Sequence, residues 1–220
     1  MALADQSLSA LNNLKTREEM VADAIRKAIL TGRFKPGEKL DQQDLADSLG
    51  VSRSPIREAL RTLAAEELVT NFAHRGVVVT ARTKAELEEL LFMRMMLEGA
   101  AARRGAEAMS AEQVKLLEQI VIAGEASNDT QELLQLNNDF HNTIYEAFDQ
   151  PVLVAHIQQL RNKIAPYNRV YLELEGRKEQ AWSDHRRIYQ ACAKGDGAAA
   201  EVETRKHLEQ VFEGILQTNQ

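Results

Sequence analysis

The sequence predicts a mainly α-helical protein in two parts, a small N-terminal unit that ends in a β-hairpin and a larger unit made only of helices. Leu, Ala and Glu are common, and aromatic residues make up only 5% of the 220 residues, a composition that favours helices. Apolar residues recur at three- and four-residue spacing along most of the chain. A β-branched stretch, residues 68–80, interrupts this helical period and predicts the hairpin.

The first helix is predicted from its start and stop signals. Residues 1–14 carry no such signals and are predicted to form a flexible N-terminal arm. Thr16 and Glu19 have the spacing of a capping box, in which each side chain bonds the other residue's backbone N–H. An apolar stripe at helical spacing follows, and Gly32 ends the helix.

Two further helices precede the hairpin. Asp41 is placed to cap a short second helix that Gly50 stops, and Ser52 or Ser54 is placed to cap the third. The turn between the second and third helices is short, and the hairpin follows the third helix directly. This order is typical of a winged helix-turn-helix, a DNA-binding fold, which we assign to residues 15–80.

The rest of the chain is predicted to be an all-helical bundle. Residues 81–84 form a linker, and Thr83 with Glu86 makes a second capping box at the start of a helix that runs from about Lys84 to Ala108. Residues 85–220 contain about six apolar-striped segments separated by polar or glycine-containing loops.

Composition excludes several classes of protein. One cysteine rules out an intramolecular disulfide and a cysteine-rich zinc site. No stretch approaches the roughly 20 apolar residues of a membrane span, and the N-terminus lacks the basic and apolar regions of a signal peptide. These features predict a cytoplasmic protein with no membrane partner.

The net charge of −6 is unevenly distributed. Residues 15–80 hold 11 Lys and Arg against 10 Asp and Glu, whereas residues 81–220 hold 16 against 22. The N-terminal unit is therefore the less acidic of the two. A protein that is acidic overall can still bind DNA if its positive charge is concentrated where the phosphates lie.

The third helix concentrates that charge on one face. Arg53, Arg57 and Arg61 are spaced four residues apart, and at 100° per residue their side chains share one side of the helix. A planar guanidinium can bind guanine or a phosphate with two hydrogen bonds, and Ser52 and Ser54 can add hydroxyl contacts at the helix start. The alternative is an ordinary solvated charged face, which the helix-turn-helix context disfavours.

The tip of the hairpin carries a second candidate DNA contact. The tip contains a titratable histidine, a cationic arginine and a small residue: His74, Arg75 and Gly76. A wing needs such residues to approach the minor groove or the phosphate backbone, although the same tripeptide is also compatible with a simple turn.

Histidines supply a candidate metal site in the helical bundle. Asn137 and His141 are spaced i, i+4 and so share one helix face, while His185 and His207 lie on two later helices. Three helices of a bundle can bring these four side chains together, and three neutral imidazoles with an oxygen donor suit a divalent transition metal. Only the i, i+4 pair has ligand spacing, so structural histidines remain the alternative.

The N-terminal unit resembles the DNA-binding domain of the GntR family of bacterial transcription regulators. The resemblance covers residues 16–80 and rests on "LADSLGVSRSPIREALRTLAAEELV", preceded by "GRFKPGEKL" and followed by "HRGVVVT". It implies a homodimer on a short, near-palindromic operator in double-stranded DNA. The implied contacts to bases and phosphates come from the third helix and the wing, at Ser52, Arg53, Ser54, Arg57, His74 and Gly76, with Arg75 beside them.

Residues 84–216 resemble the FCD effector domain of the FadR subgroup of that family. The resemblance rests on "LLFMRMMLEGAAARRGAE", "LLQLNNDFHNTIYEAFDQPVL" and "WSDHRRIYQACAKGDGAAAEVETRKHL". It implies that the bundle binds an effector, dimerises, and holds a metal through Asn137, His141, His185 and His207; His156 has no place in that pattern. Zinc is the first choice of metal, with nickel, manganese or iron as alternatives.

Two residues refine the expected ligand. The subgroup more often has Asp where this chain has Asn137, so the expected ligand set cancels none of the metal's charge and should favour a carboxylate effector. Arg94 lies among apolar neighbours in the fourth helix. It either pairs with Glu98, at i, i+4, or helps to bind the organic acid.

Together these features predict a ligand-responsive transcription regulator, acting as a repressor as is common in the family. The alternative is a DNA-binding regulator whose bundle only dimerises. A helical-bundle metalloenzyme is disfavoured because no Glu-x-x-His pair, H-E-x-x-H, G-x-S-x-G or P-loop motif is present. We therefore expect no enzymatic activity.

Overall fold

A computed structural model describes residues 15–218 of the chain, so the predicted arm, residues 1–14, lies outside the described residues. The chain divides into two compact units, one that extends to Ala81 and one that begins at Arg82. Within the described residues there are nine helices and one small sheet, which confirms the mainly α-helical class.

The N-terminal unit has the element order that the sequence predicts, with one additional strand. Its elements are α1 (Arg17–Leu30), β1 (Lys39–Leu40), α2 (Gln42–Leu49), α3 (Arg53–Ala65), β2 (Val69–Phe72) and β3 (Gly76–Val79). The strands form an antiparallel sheet in the order β1-β3-β2. The sequence does not predict β1, because two residues are too short to show a strand period.

Apolar side chains from all three helices and from the sheet form the core of this unit. Ile29 of α1, Ile56 and Leu63 of α3 and Val79 of β3 have no exposed surface. The capping box at Thr16 and the Asp41 cap are both present. One face of α3 therefore packs in the core, and the opposite face is exposed to solvent.

The C-terminal unit contains six helices and no strand within the described residues. They are α4 (Lys84–Ala108), α5 (Ala111–Ala126), α6 (Thr130–Tyr145), α7 (Pro151–Leu172), α8 (Arg177–Ala193) and α9 (Gly197–Thr218). The predicted capping box at Thr83 begins α4, and Pro151 occupies the first turn of α7, where its missing N–H costs no hydrogen bond.

Two apolar clusters fill this bundle. The larger contains Phe140, Ile144 and Tyr145 of α6 with Trp182 and Ile188 of α8. Close helix approach depends on glycine, since a Cβ on Gly105 of α4 would lie 2.1 Å from the Ile144 carbonyl oxygen. No helix among residues 15–218 is long and apolar enough to span a membrane.

Candidate nucleic-acid interface and metal centre

The solvent face of α3 carries the three arginines that the sequence singles out. Arg53, Arg57 and Arg61 are all exposed, and the side chains of Arg57 and Arg61 keep 60% and 70% of their accessible surface. The opposite face of the helix is anchored in the core. The guanidinium groups therefore project from a rigid element, which suits contact with a DNA groove.

The three arginines differ in their partners. Arg61 donates to both carboxylate oxygens of Glu58, at 2.9 and 3.1 Å, whereas the Nε of Arg57 lies 3.8 Å from the same carboxylate. Among the described residues, Arg53 makes no hydrogen bond and no ion pair within 4.0 Å. Arg53 and Arg57 are thus freer than Arg61 to bind phosphate or base edges.

The serines at the start of α3 are also available. Ser52 occupies the N-cap position, but its side chain makes no capping hydrogen bond, and both Ser52 and Ser54 are exposed. The sequence predicts that one of these hydroxyls caps the helix, and at the N-cap Ser52 this prediction is wrong. The unused hydroxyl and the positive end of the helix dipole both favour an anionic group at this point.

The wing tip is exposed and has the required turn geometry. His74 and Arg75 lie in the turn between β2 and β3, and Gly76 begins β3 with a φ of 76°. This left-handed conformation is easily reached only by glycine. Both side chains at the tip are exposed.

In the C-terminal unit, three predicted metal ligands from three helices converge. His141 of α6, His185 of α8 and His207 of α9 each offer a ring nitrogen, and these nitrogens lie within 4.8 Å of one another. All three side chains are buried. The arrangement matches the donor set of a transition-metal site, in which several neutral imidazoles surround one ion.

His185 gives the strongest indication that this cluster binds a ligand. Both of its ring nitrogens are buried and have no hydrogen-bond partner in the described residues, although the side chain is only 1% exposed. A buried polar group without a partner costs about 1–3 kcal/mol. A metal ion bound to one of the two ring nitrogens would remove that cost for the nitrogen that it binds.

His207 is oriented by a carboxylate that sequence analysis did not identify. The Nδ1 of His207 lies 3.2 Å from Oδ2 of Asp184, a residue that is 1% exposed and is also bound by Arg187 and Gln180. If Nδ1–H donates to this carboxylate, the lone pair of Nε2 is free for a metal. Carboxylate–histidine pairs commonly orient metal ligands in this way.

A second buried chain of polar groups orients His141. The Tyr145 hydroxyl donates to Oε2 of Glu98 at 2.9 Å and lies 3.1 Å from the Nδ1 of His141. Since the only hydroxyl proton is directed to Glu98, the Tyr145 oxygen accepts from Nδ1–H, and Nε2 of His141 keeps its lone pair. Glu98 in turn accepts from Nε of Arg94 at 2.5 Å.

The surroundings keep His141 and His185 neutral. Burial lowers the pKa of both residues well below 6.5, and the charges of Arg161 and His207 lower both values further. Burial alone would raise the pKa of Asp184, but hydrogen bonds from His207 and Gln180 and the charge of Arg187 outweigh it and lower the value. Neutral imidazoles are the form that binds metals.

Arg161 of α7 adds a buried positive charge that sequence analysis missed. Its side chain donates to Oδ1 of Asn142 and to Oδ1 of Asn138, at 2.8 and 3.0 Å, and it is only 6% exposed. Both partners are neutral amides, and the nearby carboxylate of Glu98, which also pairs with Arg94, raises the pKa of Arg161. Burial outweighs this effect and lowers its pKa, an indication of how strongly the site is desolvated.

The remaining predicted residues take different positions. Asn137 lies one turn before His141 on α6 and is half-buried, which is compatible with its predicted role as a ligand. Arg94 is buried and forms the ion pair with Glu98 that was one of its two interpretations. His156 is exposed on α7, in line with its exclusion from the site.

Comparison with known proteins gives two family matches. The family described as "Bacterial regulatory proteins, gntR family" matches residues 17–79, and the FCD domain matches residues 89–210. The first range contains α3 and the wing, and the second contains all three histidines of the cluster.

Whole-chain relatives agree with these matches. The HTH-type transcriptional regulator YdhC of Bacillus subtilis (strain 168) is 30% identical over 195 residues, 84% of each chain. The HTH-type transcriptional repressor RspR of Escherichia coli (strain K12) is 25% identical over 213 residues, 96% of this chain and 93% of its own. The fold of E. coli McbR/YncC matches with a TM-score of 0.83 at 21% identity, covering 94% of this chain and 100% of that one.

Proposed function

Since the chain belongs to the gntR family of bacterial regulatory proteins and carries an FCD domain, we propose that it is a metal-containing repressor whose affinity for its operator is controlled by a small organic acid. The family and the relatives are transcriptional regulators and not enzymes. The observation that carries the proposal beyond the family is the buried histidine cluster, in which both nitrogens of His185 lack a hydrogen-bond partner among the described residues.

DNA is proposed to bind to α3 and the wing. Arg53 and Arg57 supply guanidinium groups for bases and phosphates, Ser52 and Ser54 supply hydroxyls, and His74, Arg75 and Gly76 contact the minor groove or the backbone. The chain acts as a homodimer, so that two copies of α3 read two halves of a near-palindromic operator. This role places the protein in the cytoplasm, with the chromosome.

A divalent metal is proposed to bind His141, His185, His207 and Asn137. Zinc suits three imidazoles and an oxygen donor best, and nickel, manganese or iron suit them as alternatives. When bound, the ion supplies a doubly positive Lewis-acidic centre that none of these four neutral ligands offsets. Asp184 and Tyr145 hold His207 and His141 in the tautomers that leave Nε2 free to bind it.

The organic acid is proposed to bind beside this centre because the local charge favours an anion. Among the described residues, Arg161 donates only to neutral amides, and the single carboxylate of Glu98, which pairs with Arg94, faces both positive charges. A carboxylate effector would balance Arg161 and the metal together, which is a stronger interaction in a desolvated site than at the surface. Effector binding would then favour one of two conformations with different affinities for DNA.

Operator binding is the first test of this proposal. Fluorescence anisotropy with DNA from upstream of the protein's own gene should show salt-dependent binding, which falls when a suitable organic acid is added. A chain that binds this DNA no better than scrambled DNA would contradict the proposal. A thermal-shift screen of organic acids, with and without chelator, identifies the effector.

Metal analysis is the second test. Protein purified without a histidine tag should contain about one divalent metal per chain, and His185→Ala should lose it while remaining folded. His156→Ala changes an exposed histidine and should keep full occupancy. Equal metal in His185→Ala and in the unaltered protein would remove His185 from the site, and no metal in either would favour a bundle that only dimerises.

A further inference from the structure

The hydroxyl of Tyr167, on α7, is bonded to the first residue of the C-terminal unit. It accepts a hydrogen bond of 2.8 Å from the backbone N–H of Arg82, a residue 85 positions earlier in the chain. That N–H belongs to the peptide group between Ala81 and Arg82, which joins the two compact units in the chain. Because a peptide group is planar, a bond to its N–H also restricts the direction of the Ala81 carbonyl. Tyr167 therefore holds the peptide group through which the N-terminal unit is attached.

Packing fixes the position of this hydroxyl. Tyr167 is 5% exposed, and its ring lies in the smaller apolar cluster of the bundle, with Leu87 and Leu90 of α4 and Phe212 of α9. Burial raises the pKa of Tyr167, and the hydrogen bond from Arg82 offsets only part of this rise, so the phenol is neutral at pH 7. The bond therefore joins a rigid part of the bundle to the linker.

The same helix carries Arg161 beside the histidine cluster. Arg161 precedes Tyr167 by six residues, about 9 Å along α7. Its guanidinium donates to two asparagines of α6, the helix that carries His141. Besides burial, the charge of Arg161 lowers the pKa of His141, which shows that this charge acts on the cluster. Helix α7 thus links the candidate metal centre to the peptide group at Arg82.

Pro166 lies between these two contacts, in the interior of α7. A proline has no N–H, so the carbonyl of Asn162 lacks the helical hydrogen bond that residue 166 would otherwise donate, and the proline ring crowds the same carbonyl. Helices commonly bend at such a position. The segment that carries Arg161 and the segment that carries Tyr167 can therefore change their mutual angle while both remain helical.

Charge at the histidine cluster acts on the first of these segments. Arg161 is 6% exposed, so water screens its charge only weakly. Added positive charge on the neighbouring imidazoles repels the guanidinium, whereas an anion attracts it. Since the two charges have opposite effects on the position of Arg161, occupancy of the cluster can favour one angle of α7 over another.

We propose that Tyr167 couples the occupancy of the histidine cluster to the peptide group between Ala81 and Arg82, and through it to the affinity of the protein for DNA. When the segment with Arg161 shifts, the angle at Pro166 changes and the hydrogen bond from Arg82 is weakened. Tyr167 acts through the linker and is therefore a positioning residue. This inference rests on the proposed function and names the residue through which its regulation passes.

Zinc-dependent DNA binding tests the coupling. Anisotropy titrations at fixed salt give the operator Kd of metal-free protein and of protein saturated with Zn²⁺, and the ratio of the two Kd values measures the coupling. In the unaltered protein this ratio should differ from one by about fivefold or more. Tyr167→Phe keeps the ring and removes only the hydroxyl. It should bring the ratio about two- to tenfold closer to one, the contribution of a single hydrogen bond, with unchanged circular dichroism.

Tyr189→Phe is the matched control. Tyr189 is a half-buried tyrosine of α8 whose hydroxyl interacts with Glu118 of α5, so this variant also loses a hydroxyl contact, but one away from the linker. It should keep the full ratio. A full ratio in Tyr167→Phe, a ratio of one in the unaltered protein, or an equal loss in the two variants would overturn the proposal.

Amide hydrogen exchange, followed by NMR, tests the bond itself. The Arg82 amide should exchange more slowly in the unaltered protein than in Tyr167→Phe, because only the unaltered protein has the acceptor oxygen. Adding Zn²⁺ should speed this exchange in the unaltered protein and leave it unchanged in Tyr167→Phe. Equal exchange of the Arg82 amide in the two metal-free proteins would show that Tyr167 does not hold this peptide group.

These outcomes are separable from those of the proposed function. Operator binding and metal content are measured on the unaltered chain, and their absence would refute the regulator itself. An unaltered chain that binds its operator and one metal ion, and whose Tyr167→Phe variant keeps the full response to Zn²⁺, would refute only the role of Tyr167.

Discussion

At the scale of single residues, Asp184 and His185 are neighbours in the chain but have different roles in the candidate metal centre. His185 offers nitrogens that have no hydrogen-bond partner in residues 15–218, and Asp184 holds His207, a residue 23 positions later. The helical path of α8 separates them, since side chains of consecutive residues diverge by 100°. Both contribute to one site because α9 packs against α8.

Replacing Asp184 with Asn should weaken metal binding about 10–100-fold, the usual effect of losing a carboxylate behind a metal-bound histidine. The amide removes the negative charge that favours the Nδ1–H tautomer of His207. Competition with a chromophoric chelator measures the affinity. Asp149→Asn changes an exposed carboxylate outside the cluster and should have no effect, and equal affinities in the two variants would argue against this role for Asp184.

Arg53→Ala should reduce operator affinity by about 1–3 kcal/mol and relax base preference, because its guanidinium is free to bond base edges. Arg61→Ala should have a smaller effect on preference, because Glu58 already binds that guanidinium. Anisotropy titrations at fixed salt, on operator and on single-base variants, compare the two. The prediction fails if Arg61→Ala relaxes base preference more than Arg53→Ala does.

At the scale of elements, glycine determines how closely α4 can approach α6. A Cβ on Gly105 would lie 2.1 Å from the backbone oxygen of Ile144, an atom that cannot move without displacing α6. The same helix α6 carries His141. Packing at Gly105 and the position of a candidate metal ligand are therefore linked through one rigid element.

Gly105→Ala should destabilise the protein by about 1–3 kcal/mol, the typical cost of overpacking. This would outweigh the gain of nearly 1 kcal/mol expected when alanine replaces glycine in a helix. Urea denaturation measures the change. Glu88→Ala, an exposed position on the same helix, should change stability by about 0.5 kcal/mol or less. A more stable Gly105→Ala variant would show that the helices separate easily.

At the scale of the whole molecule, the candidate metal couples three helices that are far apart in sequence. His141, His185 and His207 lie on α6, α8 and α9, so an ion bound by all three stabilises the folded bundle but not the unfolded chain. Stability should therefore depend on the concentration of free metal.

Removing metal with a chelator should lower the melting temperature, and adding back the native ion should restore it. At a free metal concentration 100 times Kd, binding contributes about 2.7 kcal/mol of stability. Differential scanning calorimetry measures the shift. His185→Ala should melt at the same temperature with and without chelator, and a chelator effect of full size in that variant would place the ion elsewhere.

The sequence by itself determined the elements whose causes are local. Capping residues set the first residue of α4, and β-branched residues identified the hairpin, because these signals act within a few positions of the chain. The i, i+4 spacing predicted that Arg53, Arg57 and Arg61 share a face. The sequence did not predict strand β1, because this strand is defined only by its pairing with β3.

Only the tertiary structure decided which polar residues surround the histidines. Asp184, Tyr145 and Arg161 carry no local signal, and their roles depend on hydrogen bonds between residues of different helices, 19 to 47 positions apart in the chain. It also showed that Phe92, Met93 and Met96 of α4 are exposed. Such contacts depend on how helices pack, and packing is a property of the folded chain that local periodicity does not encode.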